Sequence, residues 1–419
     1  MARPMKTIII GAGAAGLMTA AALLEANPQA DVTLVERNNG LGKKVIISGG
    51  GRCNVTTGIR DVRTLLTKYP RGNKFLSKAM YAFPPEAVYD WFEAHGVPLK
   101  TEKDLRVFPQ SNDGKDVVGA FERLFASRQV RILLNTAVVR VARAGEGFEV
   151  FVKNQDAPLQ ADCLVLTTGG QAYRHTGSTG DGYAFAQALG HTITPLAPSL
   201  NAFFTRETWP AELSGLSFEK ATITALRGKH PSFTGPFLFT HKGVSGPAVF
   251  ALSSIVAFER YDAIQPLEIT IDLFPDESVE VLRSRIEAVC STETKKLAMN
   301  VLGSIVPKSL AVVLCREAQL ASDKRAGEVH KKDAERLAAW LKAIPLNVIQ
   351  RGAGDEFVTA GGVATAEVDP ATMESKICPG LYLAGEILDV DGFTGGFNLQ
   401  ASWAAGHLAG ESIASSERS

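Results

Sequence analysis

Residues 6–25 read KTIIIGAGAAGLMTAAALLE and combine three local patterns in the order strand, turn, helix. The apolar, β-branched run Lys6–Ile10 is typical of a buried parallel strand. Glycines follow it directly, and an Ala/Leu-rich helix then extends to about Glu25. Val32–Glu36 predicts a second strand. These residues therefore predict one β–α–β unit with a glycine turn after its first strand.

The glycine spacing in this turn follows the GxGxxG pattern. Gly11 makes the tight turn, Gly13 lets the backbone approach a pyrophosphate, and Gly16 lets helix and strand pack closely. The free N–H groups and the positive dipole end of the helix favour phosphate here. Glu36 ends the second strand 20 residues after Gly16, where its carboxylate can accept hydrogen bonds from a ribose diol. The combination predicts a dinucleotide site, in preference to a surface glutamate at a strand end.

A second glycine-rich segment soon after Glu36 separates the two common dinucleotides. It comprises Leu41–Lys44 and Ser48–Asn54, with three consecutive glycines. An NAD fold has no need of this segment, whereas FAD carries a longer ribityl and isoalloxazine portion that the backbone must approach. The sequence therefore predicts FAD. Lys44 fits a phosphate contact and a solvated surface position about equally well.

Side chains within this segment suggest ligand contacts. Ser48 and Asn54 can add hydrogen bonds, and Arg52 or Lys43 can neutralise a phosphate. Cys53 invites a redox role, but no partner cysteine is visible in the sequence. A small residue packed near the ligand is the preferred interpretation.

The C-terminal part carries a third set of glycines. Gly380–Glu386 is predicted to be a short strand that ends in a glycine and an acid, and Glu386 can hold ribityl hydroxyls. Gly395–Gln400 then precedes an Ala-rich helix, whose N-terminus would face the flavin N1/O2 edge, where reduction builds negative charge. An ordinary loop before a terminal helix is the alternative. Thr168–Gly170 and Gly177–Gly182 form a further strand-to-helix junction, which in a doubly wound sheet converges on the ligand crevice.

The composition fits a globular protein of several domains. At 419 residues the chain exceeds a single core, which stops growing near about 250–300 residues. Lys plus Arg and Asp plus Glu both total 44, so no global charge attracts nucleic acid or an anionic membrane. The uncharged run 7–24 could suggest a membrane span or signal peptide, but a strand–turn–helix explains its glycines better. We expect no membrane partner.

Cysteine and histidine usage points to a reducing compartment and to no metal. The five cysteines are scattered and include no CxxC pair, which indicates reduced thiols in a cytoplasmic protein. The seven histidines show no metal-ligand spacing. The sequence does not indicate an oligomeric state.

Changes in periodicity predict an α/β fold class with a discontinuous FAD-binding domain. Polar and apolar residues alternate from about 200 to 274, which indicates antiparallel strands, and the period then becomes helical. The predicted domains are a Rossmann-like FAD-binding domain (1–195 and 353–419), a β-rich insert domain (196–275 and 343–352) and a small helical insert domain (276–342).

Taken together, these motifs resemble one bacterial family over nearly the whole chain. GxGxxG, LGKKxxxSGGGRCN, TGGxxYxxTGSTGDGY, FTHxGxSGPA, VTAGGV and GEILDVDGxxGGFNLQ are similar to those of the BaiN-like, or aminoacetone-oxidase-type, FAD-dependent oxidoreductases. The SGGGRCN and GGFNLQ blocks are specific, whereas hundreds of enzymes share GxGxxG. The resemblance implies the same three-part architecture. It also implies a set of FAD contacts: Gly11, Gly13, Ala14, Ala15, Gly16, Glu36, Arg37, Lys43, Ser48, Gly50, Arg52, Cys53, Asn54, Val138 through its backbone, Thr168, Gly169, Gly385, Glu386, Gly396, Phe397, Asn398 and Leu399.

The resemblance implies oxidoreductase chemistry on a small organic substrate. The chain has no second GxGxxG, so a dedicated nicotinamide domain is not expected. NAD(P)H visiting the flavin as a transient electron donor and direct reduction by the substrate, as in an amine oxidase, both stay open.

Acid–base candidates carry a weaker signal than the cofactor residues. His241 lies in an unusual polar, glycine-containing segment and is the most suitable acid or base at neutral pH. A link between strand and helix is the competing interpretation, in which Ser245 caps a helix beginning near Pro247. Tyr173 and His175 are further candidates.

Two other classes of function compete with this prediction. One is a flavin-dependent protein that modifies or binds nucleic acid, suggested by basic residues between Lys324 and Arg336. Acidic residues are interleaved with them, which favours a solvated helix face, so no nucleic-acid partner is expected. The other is an NAD dehydrogenase without flavin, which the second glycine segment argues against.

Overall fold

A computed structural model describes residues 5–128, 130–352 and 357–416. The chain forms two compact units, residues 1–199 with 356–419 and residues 200–355. In the second unit, barrel strands and helices contribute to one shared buried core. A separate helical domain within that unit stays a prediction.

The first unit combines parallel and antiparallel strands with helices. Its strands are β1 (Lys6–Ile10), β2 (Asp31–Val35), β3 (Thr56–Thr57), β4 (Leu99–Thr101), β5 (Arg106–Pro109), β6 (Arg131–Leu133), β7 (Val138–Ala144), β8 (Gly147–Val152), β9 (Leu159–Ala161), β10 (Cys163–Leu166), β11 (Ala197–Ser199), β18 (Val358–Ala360) and β19 (Leu381–Leu383). Its helices are α1 (Ala14–Ala26), α2 (Lys43–Ile47), α3 (Val62–Leu66), α4 (Asn73–Ala82), α5 (Pro85–Ala94), α6 (Gly114–Arg128), α7 (Asp181–Ala188) and α13 (Phe397–Ser416).

A parallel sheet forms the centre of this unit, in the order β19-β10-β1-β2-β6. Every residue of β10 is buried, as expected for a strand covered on both faces. Helix α1 is apolar all round, and α13 packs closely against it. A Cβ on Gly406 would lie 2.5 Å from the Ala15 carbonyl oxygen, and one on Gly410 would lie 2.5 Å from that of Thr19. These two glycines therefore let the terminal helix contact the first one.

The second unit contains a closed antiparallel barrel and several helices. Its elements are β12 (Phe203–Thr205), β13 (Ser217–Ala225), β14 (Ser232–Thr240), β15 (Gly243–Ser245), α8 (Pro247–Ile255), β16 (Leu267–Asp272), α9 (Val279–Thr292), α10 (Ala298–Leu302), α11 (Lys308–Glu317), α12 (Lys331–Lys342) and β17 (Ile344–Arg351). The barrel order is β12-β15-β14-β13-β16-β17. The antiparallel strands predicted from alternation are confirmed, and pairing of β12 with β17 closes them into a barrel.

Two local predictions are corrected by the structure. Ser245 does not cap α8: it ends β15, and the cap position is Gly246 at φ +105°, with no side-chain hydrogen bond. A glycine occupies the cap because the chain turns there through a backbone conformation that other residues rarely adopt. Strand β10 ends at Leu166, two residues earlier than predicted, which leaves Thr168 in the following turn.

Candidate active site

The carboxyl ends of four parallel strands lie level with one another. In β1, β2, β10 and β19, each last residue pairs with the last residue of the neighbouring strand. The turns that follow begin at Gly11, Glu36, Thr167 and Ala384, all at one edge of the sheet. The sheet order places the change of direction between β1 and β10, which is where open α/β sheets bind ligands.

The three glycines of the first turn differ in their surroundings. A Cβ on Gly11 would lie 2.6 Å from the Thr167 carbonyl oxygen, and one on Gly16 would overlap the Gly11 carbonyl oxygen. A Cβ on Gly13 would meet nothing within 4 Å. Packing therefore requires Gly11 and Gly16, whereas Gly13 faces open space at the N-terminus of α1. No side chain caps that helix, so its first N–H groups can serve an anion.

Glu36 is a buried carboxylate that ties the first turn to β2. Its Oε2 accepts a hydrogen bond from the Ala12 N–H at 2.9 Å. Its Oε1 accepts from the backbone and side-chain N–H groups of Asn38 at 2.8 and 2.7 Å. A carboxylate offers roughly four lone-pair positions, so capacity for a ribose hydroxyl remains. Next to it, Arg37 donates to Thr179 and, at 2.8 Å, to Asp181, which fixes the 177–182 turn beside β2.

The second glycine segment presents bare backbone. Gly49, Gly50 and Gly51 have φ values of +57°, +72° and +86°, in the region that favours glycine. A Cβ on Gly50 or Gly51 would meet nothing within 4 Å. Cys53 is fully buried, and burial raises the pKa of its thiol to about 12, so it is not a thiolate at neutral pH. This fits the interpretation of Cys53 as a packed residue.

The polar side chains of this segment already have protein partners. The Ser48 hydroxyl donates to the Val45 carbonyl at 2.7 Å. Arg52 lies 2.7 Å from a Glu102 carboxylate oxygen and 3.7 Å above the centre of the Phe108 ring. The Asn54 side-chain oxygen accepts from the Val107 N–H at 3.3 Å. A phosphate contact by Arg52 would compete with Glu102, and it stays a prediction.

An ion pair that the sequence did not single out connects two distant segments at this edge. The Lys44 Nζ lies 2.6 Å from Oε2 of Glu386, although Lys43 was the lysine predicted to bind phosphate. Oε1 of Glu386 accepts from the Thr359 N–H at 2.9 Å. Both charged side chains are mostly buried, with 25% and 16% exposure. The acid proposed to hold ribityl hydroxyls is therefore oriented by a lysine and a backbone amide.

The start of α13 is held by its own side chains. Gly396 has φ +87°, and a Cβ there would overlap the Thr56 carbonyl oxygen, so only glycine fits. The Asn398 side chain accepts from the Gly392 N–H and donates to the Gly392 carbonyl, both at 2.8 Å. The Phe397 carbonyl accepts from the Tyr69 hydroxyl at 2.7 Å. These contacts fix the loop and helix start that were predicted to approach the flavin edge.

Three buried polar atoms in this unit have no hydrogen-bond partner among the described residues. They are the Thr168 Oγ1, the Tyr183 hydroxyl and the Asp389 Oδ1. Burial raises the pKa of Tyr183 and also that of Asp389. Unpaired buried polar groups require an explanation, and a bound ligand is one. Thr168 was predicted from sequence, whereas Tyr183 and Asp389 carried no local signal.

The remaining predicted residues occupy varied positions. Val138 begins β7 and is buried. His175 is exposed, and its ring centre lies 5.8 Å from that of Tyr173. His241 belongs to the second unit, where it lies exposed in the turn between β14 and β15. There it lines a groove of about 670 Å³ together with Phe204 and Lys242.

Two searches of the described residues gave negative results. No group of three or more His, Cys, Asp or Glu side chains is arranged to hold a metal ion. None of the helices in those ranges is long and apolar enough to cross a membrane.

The geometry fits a dinucleotide with a further ring system. Open space lies before Gly13, Gly50 and Gly51, an uncapped helix N-terminus faces the first of these, and two orphaned hydroxyls lie in the same unit. Known proteins agree with this fit. The family model "HI0933-like protein Rossmann domain" matches residues 5–412.

Two curated relatives span almost the full chain. A 3-dehydro-bile acid delta(4,6)-reductase of Clostridium scindens is 30% identical over 97% of this chain and 98% of its own. A ribosomal RNA dihydrouridine synthase of Haemophilus influenzae is 32% identical over 99% of both chains.

Solved structures share the fold at low identity. The open conformation of a flavocytochrome c3 fumarate reductase matches with a TM-score of 0.51 and 17% identity, covering 100% of this chain and 79% of the other. The family model and the two relatives together show that this chain belongs to the HI0933-like Rossmann-domain family of FAD-binding oxidoreductases.

Proposed function

We propose that the crevice at the strand ends holds FAD and that the chain reduces a carbon–carbon double bond conjugated to a carbonyl group. The open space before Gly13, at an uncapped helix N-terminus, is the observation that carries the cofactor proposal. The Gly11–Gly16 turn and Glu36 would hold the adenosine diphosphate portion. Gly50, Glu386 and the Gly396–Leu399 segment would hold the ribityl and ring portions, with the other contacts that the resemblance implies.

The reaction class comes from what the two relatives' names share. One name describes reduction at positions 4 and 6 of a 3-oxo bile acid, and the other describes conversion of uridine to dihydrouridine. Each adds two hydrogens across a double bond conjugated to a carbonyl. A bound flavin supplies such reactions with two electrons as a hydride. Each turnover then consumes one hydride from NAD(P)H and one proton from solvent or from an acid of the protein.

The chain's own residues would bind, orient and exclude water. Lys44 and the Thr359 N–H hold the Glu386 carboxylate in one orientation, and Asn398 holds the loop before α13. Burial raises the pKa of Tyr183, which keeps that hydroxyl protonated and able to donate a hydrogen bond. His241 as the acid of the reaction stays a proposal of lower rank, because it stands on chemical type alone.

Uracil in RNA is a second candidate substrate beside a small conjugated ketone. The sequence argued against a nucleic-acid partner because the net charge is zero. Charge is nevertheless local, and one exposed segment of the first unit contains six basic residues against one acid, at 60–78. This segment and the dihydrouridine synthase relative favour testing RNA.

An anaerobic titration tests the reaction class. Purified protein with its flavin would be mixed with NADH, NADPH or a small amine, and loss of the flavin absorbance would be followed. We expect a nicotinamide to bleach the flavin, and a 4,6-dien-3-one steroid or a uridine-containing RNA to restore the absorbance without oxygen. Bleaching by the amine alone would overturn the reductase proposal in favour of an oxidase.

A further inference from the structure

We propose that residues 60–78, the basic segment, form a surface that binds the phosphate backbone of a single-stranded RNA. The segment comprises α3, α4 and the connection between them, and its only acidic residue is Asp61. This inference rests on the proposed function, because it locates the binding of one of its two candidate substrates.

The charges of the basic segment are largely unneutralised. Asp61 caps α3, where its carboxylate accepts from the backbone N–H and the hydroxyl of Thr64 at 2.8 and 2.6 Å. Within the described residues, no carboxylate lies within ion-pair distance of Lys68, Lys74 or Lys78. Arg71 is the exception, because it pairs with the buried Asp391. Proteins attract a polyanion through such accumulations of exposed positive charge.

An exposed aromatic ring accompanies the two lysines of α4. Lys74, Lys78 and Tyr81 are spaced four and three residues apart, which places them on one face of the helix. The opposite face is buried through Phe75 and Ala79 and their neighbours. Tyr81 is 56% exposed, high for a large aromatic side chain. Cations that follow a backbone beside an aromatic ring on which a base can stack are typical of single-strand binding surfaces.

Several contacts fix the basic segment to the loop that precedes α13. The Lys68 carbonyl accepts from the Phe393 N–H at 3.0 Å, and the Tyr69 hydroxyl donates to the Phe397 carbonyl at 2.7 Å. The Arg71–Asp391 ion pair adds a third connection. The segment therefore joins directly onto the loop and helix start assigned to the flavin edge. An RNA held by its phosphates on α4 would lie close to that edge.

The other basic cluster of the chain is committed to internal contacts. Lys324 and Arg336 both bind Asp333, at 2.7 and 2.6 Å, and Arg325 donates to the Lys295 carbonyl. Only the exposed Lys331 and Lys332 of that cluster lack such contacts in the described ranges. This pair provides a matched control for the pair on α4.

Fluorescence anisotropy with a labelled, uridine-containing single strand of about 20 nucleotides tests the surface. The full-length protein would be titrated at several salt concentrations as wild type, K74Q/K78Q, Y81A and the control K331Q/K332Q. We expect the K74Q/K78Q variant to lower the slope of log Kd against log salt by about 1.5, because each lost phosphate contact removes about 0.7–0.9. Tyr81→Ala should weaken binding about tenfold. The control should match the wild type.

Equal RNA binding by wild type and K74Q/K78Q would overturn the inference, as would an equal loss in the control. Tight binding to vesicles of anionic lipid with the same loss in K74Q/K78Q, and none to RNA, would overturn it as well. Reduction of a conjugated ketone without any RNA binding would overturn this inference and leave the proposed function standing. RNA binding through these lysines without reduction of any conjugated double bond would support the surface and contradict the proposed function.

Discussion

At the scale of single residues, the glycines of the first turn separate packing from ligand approach. Gly16 has no room for a Cβ because the Gly11 carbonyl occupies that space, whereas Gly13 borders a void. The spacing alone predicted these different roles. Both glycines are compatible with ordinary φ values, since neither is among the residues with positive φ. Substitution by alanine therefore probes the space around each position and not backbone strain.

The two alanine variants should fail in different ways. Gly16→Ala should reduce the free energy of unfolding by about 1–3 kcal/mol, because the added methyl overlaps backbone. Gly13→Ala should change it by less than about 0.5 kcal/mol and weaken FAD binding about tenfold, because the methyl occupies the phosphate space. Urea unfolding of the flavin-free proteins and FAD titration measure the two effects. Unimpaired FAD binding by Gly13→Ala would contradict the assignment of that space.

Other residues of the site were beyond sequence reasoning. Lys43 and Lys44 are adjacent and alike, and only the position of Glu386, far along the chain, shows which one reaches the crevice. Tyr183 and Asp389 carry orphaned polar atoms that only the fold makes visible. Asn54 and Asn398, predicted as ligand contacts, have backbone partners that hold loops. Local patterns predict where backbone is bare, but not which side chains the tertiary structure has already paired.

The Lys44–Glu386 pair should couple the two ends of the first unit. Lys44→Met and Glu386→Gln should each destabilise the protein, and the double variant by less than their sum, with a coupling of about 0.5–2 kcal/mol. Urea unfolding of the four proteins gives this coupling. The exposed pair Lys220–Asp276 is the control and should couple by less than about 1 kcal/mol. Additive losses at Lys44 and Glu386 would show that the pair does not act as a unit.

At the scale of elements, a buried histidine joins the end of α7 to the segment before β19. His191 Nδ1 lies 3.1 Å from a Glu367 oxygen, and Nε2 lies 2.9 Å from the Ser375 hydroxyl. Burial lowers the pKa of His191 below its usual 6.5, against the opposing effect of Glu367. The folded protein therefore holds a neutral ring that the unfolded chain protonates near pH 6.5. Burial has the same effect on His407.

Stability should consequently depend on pH in a defined window. Above about pH 6.5 the contribution of His191 is complete, and it declines as pH falls toward the lowered pKa of the folded state, by at most about 1.4 kcal/mol per pH unit. His191→Gln should flatten the fall in unfolding free energy between about pH 6.5 and 5. Urea unfolding at several pH values measures the slope. The exposed His230, replaced by Asn, is the control; an unchanged slope in His191→Gln would contradict this account.

At the scale of the whole molecule, the order of elements was predictable while their long-range closure was not. Strand, turn and helix from Lys6 to Ala26 follow directly from local periodicity. The barrel depends on β12 pairing with β17, which follows it by some 140 residues, and alternation alone does not distinguish an open sheet from a closed one. Packing of α13 on α1 likewise depends on Gly406 and Gly410, which look unremarkable in an Ala-rich helix.

The central claim is that turns from both ends of the polypeptide enclose FAD. The most direct measurement is the visible spectrum of pure, intact protein, followed by removal of any flavin and titration with FAD. We predict an absorbance band near ~450 nm and uptake of one equivalent of FAD per chain, with weaker uptake by Gly13→Ala. Colourless protein that takes up no added FAD would contradict the claim.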